Sequence, residues 1–321
     1  MTDLKHAIGV DLGGTKIAVA LVDSNGQMKK VIKRPTDVAG GPIAVKHQIV
    51  EAVNEVLKDT PPIPPAGLGI GVAGQIELGT GVVLFAPNLD WHDEPLQSDL
   101  QEALAIPVAI VNDVRAATWG EWLFGAGKGC DDLVCIFVGT GIGGGIVSRG
   151  RMISGSSNSA WEIGHTIISI KGRACTCGSS GCMESIAGGW ALARQAQNEA
   201  TKDPKAASML LEKADNNIEN ITAKTVAAAF LEGDRLASRL MDEVTEALIA
   251  GAVSLVNILN PKRLILGGGI VEGLPHIVGL VERGIRAKAL KSATGSLEVC
   301  LSRLGNDAGV VGAAAMVMMV R

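Results

Sequence analysis

The chain has 321 residues, 47% of them hydrophobic, with 41 glycines and a formal net charge of −4. That length can bury a sizeable core in two domains of ordinary size, and so much glycine favours tight strand-to-turn connections over a helical bundle. The charge is small and scattered, no apolar run is long enough to span a bilayer, and the first residues lack the regions of a signal peptide, so a cytoplasmic protein with no nucleic-acid and no membrane partner is expected.

Residues 7–10 read as an apolar strand running into Asp11-Leu12-Gly13-Gly14-Thr15-Lys16, and residues 17–22 as a second strand turned by Ser24-Asn25-Gly26. Helical apolar spacing predicts a helix over 43–58, broken by the proline-rich run 60–65, a stiff connector. Residues 68–72 read as a buried strand ending at Ala73-Gly74-Gln75, 79–81 as a hairpin turn, 85–91 as a loop containing Asn88, and 94–104 as a helix. The strand 108–111 ends at Asn112-Asp113, and 114–124 continues as a helix.

A second cycle then begins, with strand 134–138, turn Gly139-Thr140-Gly141 and returning strand 143–147. It repeats the opening order of strand, glycine- and threonine-rich turn, strand, which points to a duplicated core. Helices are expected over 190–197, 225–232 and 234–258, then strand 263–266 into Gly267-Gly268-Gly269, strand 297–301, and a small-residue helix over 309–318. Alternating strands and helices with hairpin openings indicate an α/β architecture with mixed sheets. The expected division is an N-terminal domain over 1–118 and a larger one over 119–304, with a last helix at about 305–321 packing back on the first.

The densest chemistry lies in residues 161–185. His165, Cys175, Cys177 and Cys182 supply one imidazole and three thiols, the ligand count of a closed tetrahedral zinc site. Gly178 and Gly181 let the chain fold back on a metal, and a Cys-x-Cys pair is poorly suited to a disulfide. Glu162 and Glu184 bracket the ligands and, with His165, can hold vicinal hydroxyls; the Asn88 amide offers the same, or is simply a turn residue beside Pro87.

The turn Gly13-Gly14-Thr15-Lys16 lets backbone N–H groups approach a phosphate, with a hydroxyl and a cation added, and Asp11 can hold Mg²⁺ through water. It is not a Walker A loop, and a strand follows it, so it is not a Rossmann opening either. Alone, the turn is a hairpin. Together with Gly139-Thr140-Gly141 and Gly267-Gly268-Gly269 it suggests a nucleotide cradle. Asp113, at a strand end, suits a general base that takes the proton of an attacking sugar hydroxyl; taken alone, Asn112-Asp113 reads as a helix cap.

These motifs resemble those of the ROK family of bacterial sugar kinases and sugar-responsive repressors, within the hexokinase/actin/Hsp70-like ATPase fold. The resemblance runs nearly end to end, through DLGGTK at 11–16, GIGVAGQI at 69–76, PNLDW at 87–91, NDVRAA at 112–117, GTGIGGGI at 139–146, EIGH at 162–165, CTCGSSGCMES at 175–185 and LILGGGI at 264–270. It implies two domains with a cleft between them, a homodimer, and an ATP- and Mg²⁺-dependent kinase acting on a hexose, foremost glucose at its 6-hydroxyl. By that pattern Asp113 is the base; Asn88, Asn112, Glu162, His165 and Glu184 hold the sugar; Gly74 and Gln75 line its pocket.

N-acetylmannosamine and N-acetylglucosamine are the alternative substrates. A sugar-responsive regulator without a DNA-binding domain is the alternative of another class, since a strand starting at residue 7 leaves no room for a winged helix-turn-helix. One departure stands out: Asn158 and Trp161 take the places of two glycines usual before Glu-Ile-Gly-His, which puts plain glucose specificity in question.

Overall fold

Two five-stranded sheets with the same strand order and the same sense carry the chain. The computed structural model describes residues 6–58 and 64–319, so most of the expected proline connector at 60–65 lies outside the described residues. The chain divides into two units: one runs to Gly129 and includes Ser154–Ala160 and the residues from Arg303 onward, and the other comprises Cys130–Ile153 and Trp161–Ser302. The first unit thus extends past residue 118 because the helix begun at Asp113 continues to Leu123. Among the described residues no helix is long and apolar enough to cross a membrane.

In chain order the first unit contains β1 (His6–Leu12), β2 (Lys16–Asp23), β3 (Met28–Pro35), α1 (Gly41–Leu57), β4 (Leu68–Val72), β5 (Gln75–Ile76), β6 (Val83–Ala86), β7 (Trp91–Glu94), α2 (Leu96–Leu104), β8 (Val108–Asn112) and α3 (Asp113–Leu123). The second contains β9 (Leu133–Val138), β10 (Ile142–Ser148), β11 (Arg151–Met152), α4 (Glu184–Ala187), α5 (Gly189–Lys202), α6 (Ser208–Lys213), α7 (Ala223–Leu231), α8 (Arg235–Leu259), β12 (Arg263–Gly267), α9 (Gly269–Gly273), α10 (His276–Lys288), α11 (Lys291–Thr294) and β13 (Glu298–Leu301). The chain then returns to the first unit as α12 (Ala308–Met319).

The first sheet has the order β3-β2-β1-β4-β8, the second β11-β10-β9-β12-β13. In each, the first three strands in the list pair antiparallel and the last two join in parallel. The residues expected to form a loop over 85–91 instead split between two strand ends and a turn, closing a small β5-β6-β7 sheet.

Strand alternation decides what each face of the first sheet packs against. Ile8, Val10 and Leu12 of β1 and Leu68, Ile70 and Val72 of β4 join Val45, Ile49 and Val53 of α1 in one core. On the opposite face stand Gly9 of β1 and Gly69 of β4, and a Cβ on either would overlap carbonyls of α12. These two glycines therefore make a small-residue face against which α12 lies close. Within the same unit Glu121 of α3 is fully buried: its Oε2 accepts from Ala126 N–H at 2.7 Å, and its Oε1 from Arg303 N–H at 2.9 Å and Leu304 N–H at 2.7 Å. One carboxylate so ties the end of α3 to the segment that leads into α12.

The second core gathers Val134, Ile136 and Val138 of β9 with Leu240, Val244 and Leu248 of α8. Helix α10 lies on α8, and Gly284 allows the contact, since a Cβ there would stand 2.5 Å from Ile249 Cδ1.

Candidate active site

In the first unit Asp11 projects from the glycine face of β1 toward the start of α12, where a Cβ on Gly309 would stand 3.2 Å from its Cγ. Burial, then the charge of Asp113, raise its pKa to about 6, with Lys16 acting in the opposite direction. The turn that follows is closed by Gly13 N–H donating to the Lys16 carbonyl at 3.0 Å, and it is braced from β3's end by Thr36, whose Oγ1 donates to the Gly13 carbonyl at 2.7 Å. Thr15 and Lys16 are exposed. Gly14 presses on the Asn88 carbonyl so closely that a Cβ would overlap it.

Asn112 caps α3: its Oδ1 accepts from Val114 N–H at 3.0 Å and from Arg115 N–H at 3.2 Å, while its Nδ2 donates to the Gly74 carbonyl at 3.3 Å. The helix-cap reading of Asn112-Asp113 thus holds: the amide caps α3, and the cap sets Asp113 at the strand end. Burial raises the Asp113 pKa, opposed by hydrogen bonds from the N–H groups of Val114 and Asp113 and from the Asn112 side chain. The first unit therefore brings Asp11, the 13–16 turn, Gly74, Asn88, Asn112 and Asp113 together, while Gln75 and Asn88 present exposed side chains. Asn158 also belongs to this unit. It adopts φ 63°, a conformation asparagine tolerates, and joins Arg115 Nη1 at 2.5 Å and the Ile76 carbonyl at 3.4 Å.

In the second unit His165 ends a 3₁₀ turn, and Cys175, Cys177 and Cys182 fold around it through Gly178 and Gly181, both at positive φ. The four ligand atoms lie within 4.8 Å of one another, with Cys175 Sγ 3.6 Å from His165 Nδ1 and Cys177 Sγ 3.8 Å from Cys182 Sγ. A tetrahedron with ordinary zinc bond lengths has S···N edges of about 3.6 Å and S···S edges of about 3.8 Å, so the donor set fits zinc. The other ring nitrogen, Nε2, is 3.9 Å from Glu162 Oε2. Trp161 is 5% exposed and packs inward. Glu184, 9% exposed, has both oxygens engaged: Oε2 accepts from Ile142 N–H at 2.7 Å and Oε1 from Trp190 Nε1–H at 3.1 Å.

Also within the second unit is a cavity of about 610 Å³, lined by Gly139, Thr140, Gly189, Trp190, Ala193, Thr222, Ala223, Lys224, Ala227, Gly269 and Ile270. The turn at its edge is closed by Gly139 N–H donating to the Gly141 carbonyl at 2.9 Å. Of the expected nucleotide residues, Gly139, Thr140 and Gly269 line this space. Gly141 packs on Glu184, Gly267 on Ser302, and Gly268, at φ 84°, on the backbone of Val138, so these three shape the turns and do not line the cavity. Sequence reading missed Gly189, Trp190, Thr222 and Lys224. The available signal was the Thr222/Thr225 capping box, which opens α7 at the cavity wall.

Residues 7–320 match the model of the ROK family. A glucokinase of Thermotoga maritima is 37% identical over 97% of this chain and 96% of its own. The crystal structure of a ROK family glucokinase from Streptomyces griseus, in complex with glucose and AMPPNP, superposes with a TM-score of 0.80 at 36% identity, over 98% of this chain and all of that one. A xylose repressor of Caldicellulosiruptor bescii is 30% identical over 98% of this chain, which spans 79% of the repressor's length. The chain belongs to the ROK family and stands with its sugar kinases.

Proposed function

We propose that the protein transfers the γ-phosphoryl group of ATP to the 6-hydroxyl of a hexose, with glucose as the substrate. The observation that carries this reading is the Asp113 carboxylate, fixed at a strand end by the Asn112 cap and raised in pKa by burial. A carboxylate so raised is, in its ionised form, a stronger acceptor for the hydroxyl proton than an ordinary aspartate. The glucokinase relatives, and the neighbour crystallised with glucose and AMPPNP, support the choice of sugar and donor.

In this reading Asn88, Glu162, His165 and Glu184 hold the sugar hydroxyls, Gly74 and Gln75 line the pocket, and Asn112 keeps Gly74 and Asp113 in register. Asp11 holds Mg²⁺ through water, and the N–H groups of the 13–16 turn, with Thr15 and Lys16, take phosphate oxygens. Mg²⁺–ATP, when bound, supplies the electrophilic phosphorus and neutralises charge on its oxygens. The mostly apolar 610 Å³ cavity has the size for an adenosine moiety. His165, Cys175, Cys177 and Cys182 would hold a structural zinc ion: four protein donors would leave no ligand position for a substrate, and the ring of His165 would be held through Nδ1 with Nε2 turned away from the sulfurs.

ADP release, measured with Mg²⁺–ATP against glucose, mannose, fructose, N-acetylglucosamine and N-acetylmannosamine, tests the proposal. Glucose is expected to give the strongest response. A stronger response to N-acetylmannosamine would reassign the substrate, and sugar binding without turnover would replace the kinase by a sensor.

A further inference from the structure

The indole of Trp190 stands between two places assigned different ligands. It lines the 610 Å³ cavity, and its Nε1–H donates at 3.1 Å to Oε1 of Glu184. Its backbone is fixed by Trp190 N–H donating to the Thr140 carbonyl at 2.9 Å, and the exposed Arg194 guanidinium lies over the ring at 4.7 Å. The other Glu184 oxygen accepts from Ile142 N–H at 2.7 Å, so the carboxylate has one partner on the backbone and one on this side chain. The backbone partner cannot move without moving β10. The indole can turn, because it is half-buried and faces open volume on the cavity side.

We propose that Trp190 is a positioning residue that couples the nucleotide cavity to Glu184, so that each substrate strengthens binding of the other. A base in the cavity packs on the indole and restricts its rotation. The restricted N–H then holds the Glu184 carboxylate in a single orientation before sugar arrives, and the cost of ordering that carboxylate is met by the first ligand to bind. By linkage, a sugar that orders Glu184 orders the indole for the nucleotide to the same extent. The inference rests on the kinase reading above, in which Glu184 contacts the sugar.

The experiment is a set of calorimetric titrations on the zinc-loaded protein: glucose with and without Mg²⁺–AMPPNP, and Mg²⁺–AMPPNP with and without glucose. In the wild type each ligand is expected to lower the Kd of the other by about fivefold or more, with the two factors equal. Trp190→Phe keeps an aromatic ring on the cavity wall and removes the N–H donor. It is expected to bind Mg²⁺–AMPPNP within about threefold of the wild type while the coupling factor falls from about fivefold, the lower bound of ordinary allosteric coupling, toward one. Arg194→Ala, on an exposed side chain, frees the outer face of the ring and is expected to lower the factor by about half, which decides the question should the Phe variant fail to fold.

A coupling factor of one in a wild type that turns over glucose overturns the proposal, as does wild-type coupling retained in both variants. Absence of ADP release from the wild type with every sugar would instead overturn the kinase reading, so the two failures are distinguishable.

Discussion

In the first sheet the strand before the tight turn ends Asp11-Leu12, with Leu12 paired to Ile17 across the turn; in the second it ends Phe137-Val138, with Val138 paired to Ile142. The strand at the far side of the first sheet ends at Asn112 with Asp113 next, while its counterpart ends at Leu301 with Ser302 next. One fold has been built twice, and at equivalent positions one copy carries carboxylates where the other carries apolar or neutral groups. The second copy places its chemistry elsewhere, in the long insertion between β11 and β12 that holds the Cys/His cluster and most of the cavity wall. The first unit therefore bears the cost of buried negative charge. The second bears that of three thiols crowded together, a cost that a bound cation would reverse.

Disrupting the Cys/His cluster should break the second unit far more than the first. Cys177→Ser deletes an exposed thiol of the proposed zinc site, so the lost packing is small and, with zinc bound, the lost coordination would be large. Structural zinc sites contribute folding free energy directly, and a drop in melting temperature of about 10 °C or more is expected, with less than one equivalent of zinc by elemental analysis. A zinc-free variant that melts like the wild type would show that the cluster is not structural.

The first unit is tested by Asp113→Asn, which keeps the shape of the strand end and removes the proton acceptor. A loss of about 10²–10⁴ in kcat is expected, with glucose binding retained by calorimetry. Because the Asp113 pKa is raised, activity in the wild type should fall on acidification from above the ordinary carboxylate range, as the base becomes protonated. Smaller again is Glu121→Ala, which leaves the N–H groups of Ala126, Arg303 and Leu304 without their acceptor. It should cost on the order of 3 kcal/mol in urea denaturation. A cost below about 1 kcal/mol would mean that water or a local shift replaces this tie between α3 and the approach to α12.

How far the sequence foretold this molecule depends on how local each feature is. The Cys/His cluster was readable because its spacing within one segment is itself the geometry, and β1, β4 and α8 were readable because their apolar periods are unbroken. Strand β3 was missed because its inward positions are Met28, Lys30, Ile32 and Arg34; the Lys30 ammonium reaches the Glu55 carbonyl at 2.7 Å, and Arg34 pairs with Glu51 and Glu55 of α1, so long charged stems replace an apolar stripe. Helix α10 was missed although Ile277, Val281 and Ile285 keep helical spacing, because Gly279 and Gly284 lower its propensity; Gly284 is there for the close contact with α8. The cavity was beyond reach because its wall is assembled from small residues and backbone of separate turns and helices. The hydrogen bonds of Glu184 were equally hidden: a carboxylate near a cysteine cluster says nothing of an indole six residues on.

The comparison between the sheets is sharpest at Asp11, whose counterpart Phe137 shows that this position needs no charge to fold. The folded-state pKa of about 6 lies above the ordinary 3.8. Between those values the folded chain binds more protons than the unfolded chain, so this group favours folding most below pH about 4 and loses that contribution as pH rises through about 6. Asp11→Asn removes the titration. Relative to the wild type it should gain little below pH about 4 and up to about 3 kcal/mol above pH about 6, while phosphoryl transfer should fall with the loss of the carboxylate proposed to hold Mg²⁺. Melting curves of both proteins without nucleotide at pH 4.5 and pH 8 decide it. A gap that widens toward pH 8 would show that the first sheet carries a charge its fold disfavours; a constant gap would mean that the Asp11 carboxylate is solvated in the absence of nucleotide, and that the two sheets differ in chemistry without differing in electrostatic cost.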